Sequence, residues 1–230
     1  MTVARQHPRP PDRLAHVVDR LTELLGDPLR DYLRERVVTN GRALDLGCGS
    51  GHHAALFAEH YDCVLAVDGS AAMLRLACRK RSRRNIRYEH RDLLDVTPER
   101  DGWFDLVFSA HTLHHVTDLP RTLEHVKRLV RPGGQAILVD TVDARRQVPR
   151  PELKAQARRS LLLDLRHSRR PVTEALEIYR LSTHPALLDH VSTDIVLTPG
   201  EFEQVYGAMF PAATITSMAR LRALCWQRGK

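Results

Sequence analysis

Ala43-Leu44-Asp45-Leu46-Gly47-Cys48-Gly49-Ser50-Gly51 is the stretch that decides the fold. An apolar strand, Arg42–Leu46, carries one acid near its end. Glycines then occupy every second position, and a helical run from His52 to His60 follows. Glycine has no Cβ, so the backbone there can turn sharply and approach a ligand closely at the carboxyl end of a strand. Downstream, short apolar runs at Cys63–Val67, Ile86–Glu89, Phe104–Ser109 and Gln135–Asp140 alternate with helical runs at Ala71–Arg81 and Pro120–Val130. Such alternation is the signature of a parallel sheet with crossover helices. Arg131-Pro132-Gly133-Gly134 is placed to stop the last of these helices before the fifth strand.

The pattern predicts an α/β fold, with a Rossmann-like, seven-stranded, mainly parallel sheet, helices on both faces and an antiparallel last strand. Residues 1–40 form an N-terminal helical segment: 1–12 are Pro- and Arg-rich and expected to be loose. Leu14, Val17, Val18, Leu21, Leu24 and Leu25 then recur at helical spacing, and Leu29, Leu33 and Val37 mark a second short helix. Residues 41–143 form the ligand-binding core. Residues 144–200 break the alternation with helical stretches at Pro151–His167, Pro171–Leu181 and Pro185–Val191, and read as a helical lid inserted over the core. Residues 201–230 close the core. A Thr198–Glu201 capping box opens a helix through Tyr206, and Ala213–Ser217 and Leu221–Trp226 alternate as a β-hairpin.

The ligand is constrained by three acids. A dinucleotide fingerprint needs Gly-x-Gly-x-x-Gly, but the residue three after Gly49 is His52, and Asp45 would repel a pyrophosphate. An acid in that place suits a cationic or amine-bearing ligand. Asp68 closes the second strand, where a carboxylate accepts ribose hydroxyls, and Asp92-Leu93 follows the third, placed to meet an adenine edge.

With these residues in order, the sequence resembles the class I S-adenosylmethionine-dependent methyltransferases, over roughly residues 40–142. Phe104–His111 resembles the family's fourth-strand motif, Leu113-His114-His115-Val116 its common post-strand sequence, and Leu129–Gly134 the turn before its fifth strand. The resemblance implies S-adenosylmethionine as cofactor. It implies a binding set of Asp45, Gly47, Cys48, Gly49, Gly51, Asp68, Gly69, Met73, Asp92, Leu93, Ser109, Ala110 and His115. It also implies methyl transfer to a nucleophilic O, N or C of a small molecule, with a peptide amine acceptor, or cofactor binding without transfer, left open.

Ser109-Ala110-His111-Thr112 lacks the Asn/Asp-Pro-Pro-aromatic run of enzymes that methylate base amines, so a nucleic-acid partner is not expected. The formal charge of +7 permits one, but 31 of the 35 basic residues are arginine, an excess that coding bias alone produces. The basic run Arg75–Arg84 has no interleaved aromatics to stack bases and reads as a solvated helix end. His111, just beyond the fourth strand, is the first candidate for a general base. His115 is expected to be structural, hydrogen-bonded beneath the cofactor, and His114 exposed. Tyr179, His184 and His190 are within reach of the substrate but read better as packed or solvent-facing.

No resident metal is expected. Asp140 and Asp143 read as strand-end and loop residues, and the four cysteines have no metal-ligand spacing. Reduced thiols, no apolar leader and no membrane-length apolar run point to a cytoplasmic protein, whose oligomeric state the sequence leaves open.

Overall fold

The computed structural model describes residues 14–38 and 40–229, so the Pro- and Arg-rich residues 1–12 lie outside the described residues. Seven strands form one sheet: β1 (Arg42–Leu46), β2 (Cys63–Asp68), β3 (Ile86–His90), β4 (Phe104–Ala110), β5 (Val130–Thr141), β6 (Thr214–Met218) and β7 (Leu221–Gln227). Their order is β3-β2-β1-β4-β5-β7-β6. The first five strands are mutually parallel, and β7 runs antiparallel to both β5 and β6. The strand order reverses between β1 and β4, and there the carboxyl ends open a crevice.

Side-chain alternation divides two cores. Leu44, Leu46, Val67 and Val107 pack on one face with Leu123, Phe202 and Tyr206. Ala43, Ala66, Leu106 and Phe108 pack on the other with Phe57 and Leu33. All seven residues of β4 are buried, as expected for the central strand of a sheet covered on both faces.

The crossover helices are α3 (His52–Phe57), α4 (Ala71–Lys80), the short α5 (Pro98–Asp101) and α6 (Leu119–Leu129). Before β1 lie α1 (Ala15–Leu25) and α2 (Arg30–Arg34). Between β5 and β6 come α7 (Arg150–His167), α8 (Val172–Ser182), α9 (Pro185–Thr193) and α10 (Pro199–Met209). Helix α10 opens with the capping box that the sequence predicts, both halves formed between Thr198 and Glu201. Among the described residues, no helix is long and apolar enough to cross a membrane.

The expected turn at Arg131–Gly134 instead lies inside β5. Val130 pairs with Phe104 and Gln135 with Leu106, so residues 131–134 bulge opposite Asp105. Gly133 takes a left-handed φ of 79° to make the bulge, and Gly134 passes so close to the Phe104 and Asp105 carbonyls that a Cβ would meet them at 3.0 Å. Helix α5 has no helical periodicity at four residues and is set by its cap, Thr97, which accepts from Arg100 N.

Candidate functional site

The glycine loop turns at the carboxyl end of β1 and is clipped to β2. Gly47 N and Cys48 N donate to Val67 O at 2.9 and 3.0 Å. Asp68 Oδ2 accepts from Gly49 N and its Oδ1 from Ser70 N, both at 2.7 Å. Gly47 holds a left-handed φ of 73° with Thr112 pressed against it, so a Cβ there would collide with the threonine side chain. Ser70 then caps α4 by accepting from Met73 N.

The basic run at the end of α4 is not simply solvated. Arg81, only 11% exposed, donates to Ser50 O in the glycine loop and pairs with Asp19 and Glu23 of α1. Lys80 bonds the same two acids. Asp19 is buried beneath them. Burial opposes its charge, but the Lys80 hydrogen bond and the neighbouring Arg81 outweigh it and hold the pKa down at about 2.

A cavity of about 1100 Å³ opens at the switch point. Gly47, Cys48, Gly49, Asp68, Gly69, Met73, Asp92, Leu93, Ala110, His111 and His115, all expected at the site, line its wall. Helix α1 adds Val18, Leu21 and Leu25, and α9 adds Leu187 and His190. Asp92 also caps the turn after β3, accepting from Leu94 N. Buried Cys48 has its thiol pKa pushed well up by desolvation.

Asp45, Gly51 and Ser109 stand behind the wall. Ser109 donates to Leu46 O and holds β4 to β1. Gly51, at a left-handed φ of 83°, admits the Tyr88 hydroxyl. Asp45 is 1% exposed, and among the described residues its Oδ2 has no hydrogen-bond partner. Desolvation pushes its pKa up to about 7, against the relief given by nearby His53. A buried carboxyl lacking one partner, directly behind a glycine loop, fits a ligand that brings positive charge to that loop.

Three histidines follow β4 on the cavity wall. His111 is open to the cleft yet enclosed by its walls, which lower its pKa chiefly by desolvation; its Nδ1 lies 3.1 Å from Thr141 Oγ1. His114, expected to be exposed, is instead only 9% exposed and sits on the cleft wall with Nδ1 2.5 Å from Asp140 Oδ1. Burial works against its charge, but Asp140 outweighs it and the pKa is raised. The sequence missed this pair because its members are 26 residues apart, one after β4 and one at the end of β5. The adjacency of β4 and β5 alone brings them together.

His115 stacks between His114, at 3.9 Å between centroids, and His190, at 5.3 Å. Asp194 Oδ1 lies 3.7 Å from His115 Nδ1 and 3.8 Å from His190 Nδ1. His114, His115 and Asp194 are the one group of metal-ligand composition among the described residues, their ligand atoms within 4.8 Å of one another. Asp143 instead pairs with Arg145 and Arg220, and Tyr179 and His184 do not line the cavity.

A mostly parallel sheet with a glycine loop and a strand-end acid at its switch point is the arrangement of a ligand-binding α/β domain. Comparison with known proteins makes the class specific: residues 44–138 match the family described as "Methyltransferase domain". An uncharacterized methyltransferase of Mycobacterium tuberculosis is 38% identical over 114 residues, covering 49% of this chain and 57% of the relative. A 2-phytyl-1,4-naphtoquinone methyltransferase of Nostoc sp. is 30% identical over 142 residues, covering 56% and 62%. The chain thus spans roughly three-fifths of the length of these curated relatives. Among solved structures, a DhpI–SAM–HEP complex is 25% identical with a TM-score of 0.57, covering 93% of this chain and 95% of that one. Residues 44–138 thus match a methyltransferase domain, and the chain is similar to S-adenosylmethionine-dependent methyltransferases.

Proposed function

We propose that this chain binds S-adenosylmethionine in the glycine-loop half of the cleft and transfers its methyl group to a small molecule held at the histidine end. The observation that carries the reading is the cavity itself, lined by the Asp68-clipped loop together with His111, His114 and His190. The residues fit the cofactor's parts. Asp68 offers lone pairs to ribose hydroxyls, Asp92 and the apolar Met73 and Leu93 suit adenine, and the loop backed by Asp45 suits the amino-bearing methionine end. The sulfonium, when bound, supplies an activated methyl group. The chain's own part is to align the acceptor with it and exclude water.

Helices α7–α9, within residues 144–200, are proposed as the acceptor-selecting lid. Leu187, His190 and Val191 of α9 reach the cavity, and α1 is tied to α8 by the Arg20–Glu177 ion pair. A small-molecule acceptor agrees with a cavity of this size and with the quinone named for the Nostoc relative. Cytoplasmic action is proposed with it. Calorimetry with S-adenosylhomocysteine and with NAD tests the cofactor assignment. Binding of the first and none of the second at equal concentration is expected, and tighter binding of NAD refutes it.

A further inference from the structure

His114 and Asp140 form a hydrogen-bonded pair that cofactor binding does not use. Their 2.5 Å contact lies at the carboxyl ends of two adjacent central strands, and Asp140 is 4% exposed. In the neutral imidazole the nitrogen bonded to a carboxylate carries the proton, so Nδ1 of His114 donates to Asp140 and Nε2 is left with its lone pair. His114 lines the cleft with Nδ1 engaged by Asp140, which leaves Nε2 as its remaining basic nitrogen. A buried carboxylate behind an imidazole fixes its tautomer and stabilises the imidazolium that forms on taking a proton. Cofactor binding calls for no such device, since the sulfonium needs no proton moved. An amine with a free lone pair and an ionised carboxylate need none either, whereas a hydroxyl becomes a strong nucleophile only on losing its proton.

We propose that His114, oriented by Asp140, accepts the proton of the acceptor, and that the acceptor's nucleophile is a hydroxyl. The proposal rests on the methyl-transfer reading above. As the O–CH₃ bond forms, the C–S bond breaks and its electron pair leaves with sulfur. The hydroxyl proton passes to Nε2 of His114 and later to solvent. Asp140 is a positioning residue. His111 is the weaker base: its Nδ1 meets a neutral threonine hydroxyl and its surroundings disfavour its charge. The groups facing His114 are Asp140 from β5, His111 and His115 from the segment after β4, and His190 and Asp194 from α9 and its end, with Tyr206 of α10 beside Asp140. Asp140 is the one of these in hydrogen-bond contact with His114, at 2.5 Å.

The test compares wild type, His114→Gln and Asp140→Asn by release of S-adenosylhomocysteine with a panel of phenols and naphthols, trans-aconitate and phenethylamine. Turnover is expected with the hydroxyl compounds. His114→Gln should lower kcat by roughly 100-fold or more with KM little changed, within the span of general-base effects. Asp140→Asn should lower kcat and move the acid limb of the pH profile downward. NMR titration of the His114 ring should give a pKa above the ordinary imidazole value of about 6.5 in wild type and a lower one in Asp140→Asn.

Calorimetry with S-adenosylhomocysteine separates the two layers of the argument. Wild type that fails to bind it overturns the methyl-transfer reading and the proposal together. With binding intact in all three proteins, only the proposal falls under any of the following results. These are near-wild-type kcat in His114→Gln, turnover of the amine or carboxylate alone or of no compound, an unmoved His114 titration in Asp140→Asn, or activity abolished by EDTA, which would assign the cluster to a metal.

Discussion

Asp45→Asn should make the ligand-free protein more stable in alkaline solution while impairing its binding site. The Asp45 pKa rises from 3.8 to about 7 on folding, because its carboxyl is buried and Oδ2 has no partner. Between those values the native state holds a proton that the unfolded chain has lost, so native stability falls as pH rises through the interval. A rise of about three units corresponds to about 4 kcal/mol, fully expressed above the folded pKa. Asparagine keeps an oxygen for the Ala54 amide and carries no charge to bury. Urea denaturation should therefore show Asp45→Asn more stable than wild type by up to about 4 kcal/mol near pH 8 and nearly equal to it near pH 4. Affinity for S-adenosylhomocysteine should fall in the same variant, since the amino-bearing ligand loses a charged partner. Equal destabilisation at both pH values would refute the argument, by showing that Asp45 is ionised and satisfied in the free protein.

Asp68→Ala removes the acceptor of the Gly49 and Ser70 amides as well as the proposed ribose contact. Calorimetry should show at least tenfold weaker S-adenosylhomocysteine binding, since charge-assisted hydrogen bonds contribute roughly 1.5–3 kcal/mol each. Asp19→Asn should flatten the acid end of the stability curve. With the folded pKa at about 2 and the ordinary value at 3.8, the stabilisation is present above the latter and lost as pH falls through the former. Solvent screening at the half-exposed Lys80 limits the effect to about 1–2 kcal/mol, measurable by denaturation at several pH values. Gly47→Ala forces a Cβ into Thr112 at a left-handed φ and should lower Tm and abolish cofactor binding together.

The parallel core was legible because its signals are local. The residues from Ala43 to Gly51 state strand, turn and helix within nine positions, and the acid of Asp68 sits where a strand-end carboxylate should. The bulge at 131–134 was not, since Pro-Gly-Gly reads as a turn whether the chain leaves the sheet or bows within it. The His114–Asp140 pair was hidden because strand adjacency, not spacing, creates it. Arg81 looked like one cation in a solvated run. Its task depends on α1 packing against α4, which places Asp19 beneath it.

The β5-β7-β6 order makes closure of the sheet depend on the last strand of the chain. Strand β6 precedes β7 in the chain, yet its ladder is formed with β7, which lies between it and β5. Until Leu221–Gln227 has docked along Gln135–Thr141, the β5 edge stands open with its backbone donors and acceptors unpaired. An open edge flanked by Ile137 and Val139 is a template for pairing with another chain. A chain halted before Leu221 would therefore be prone to aggregate even though its glycine loop and parallel strands were already made.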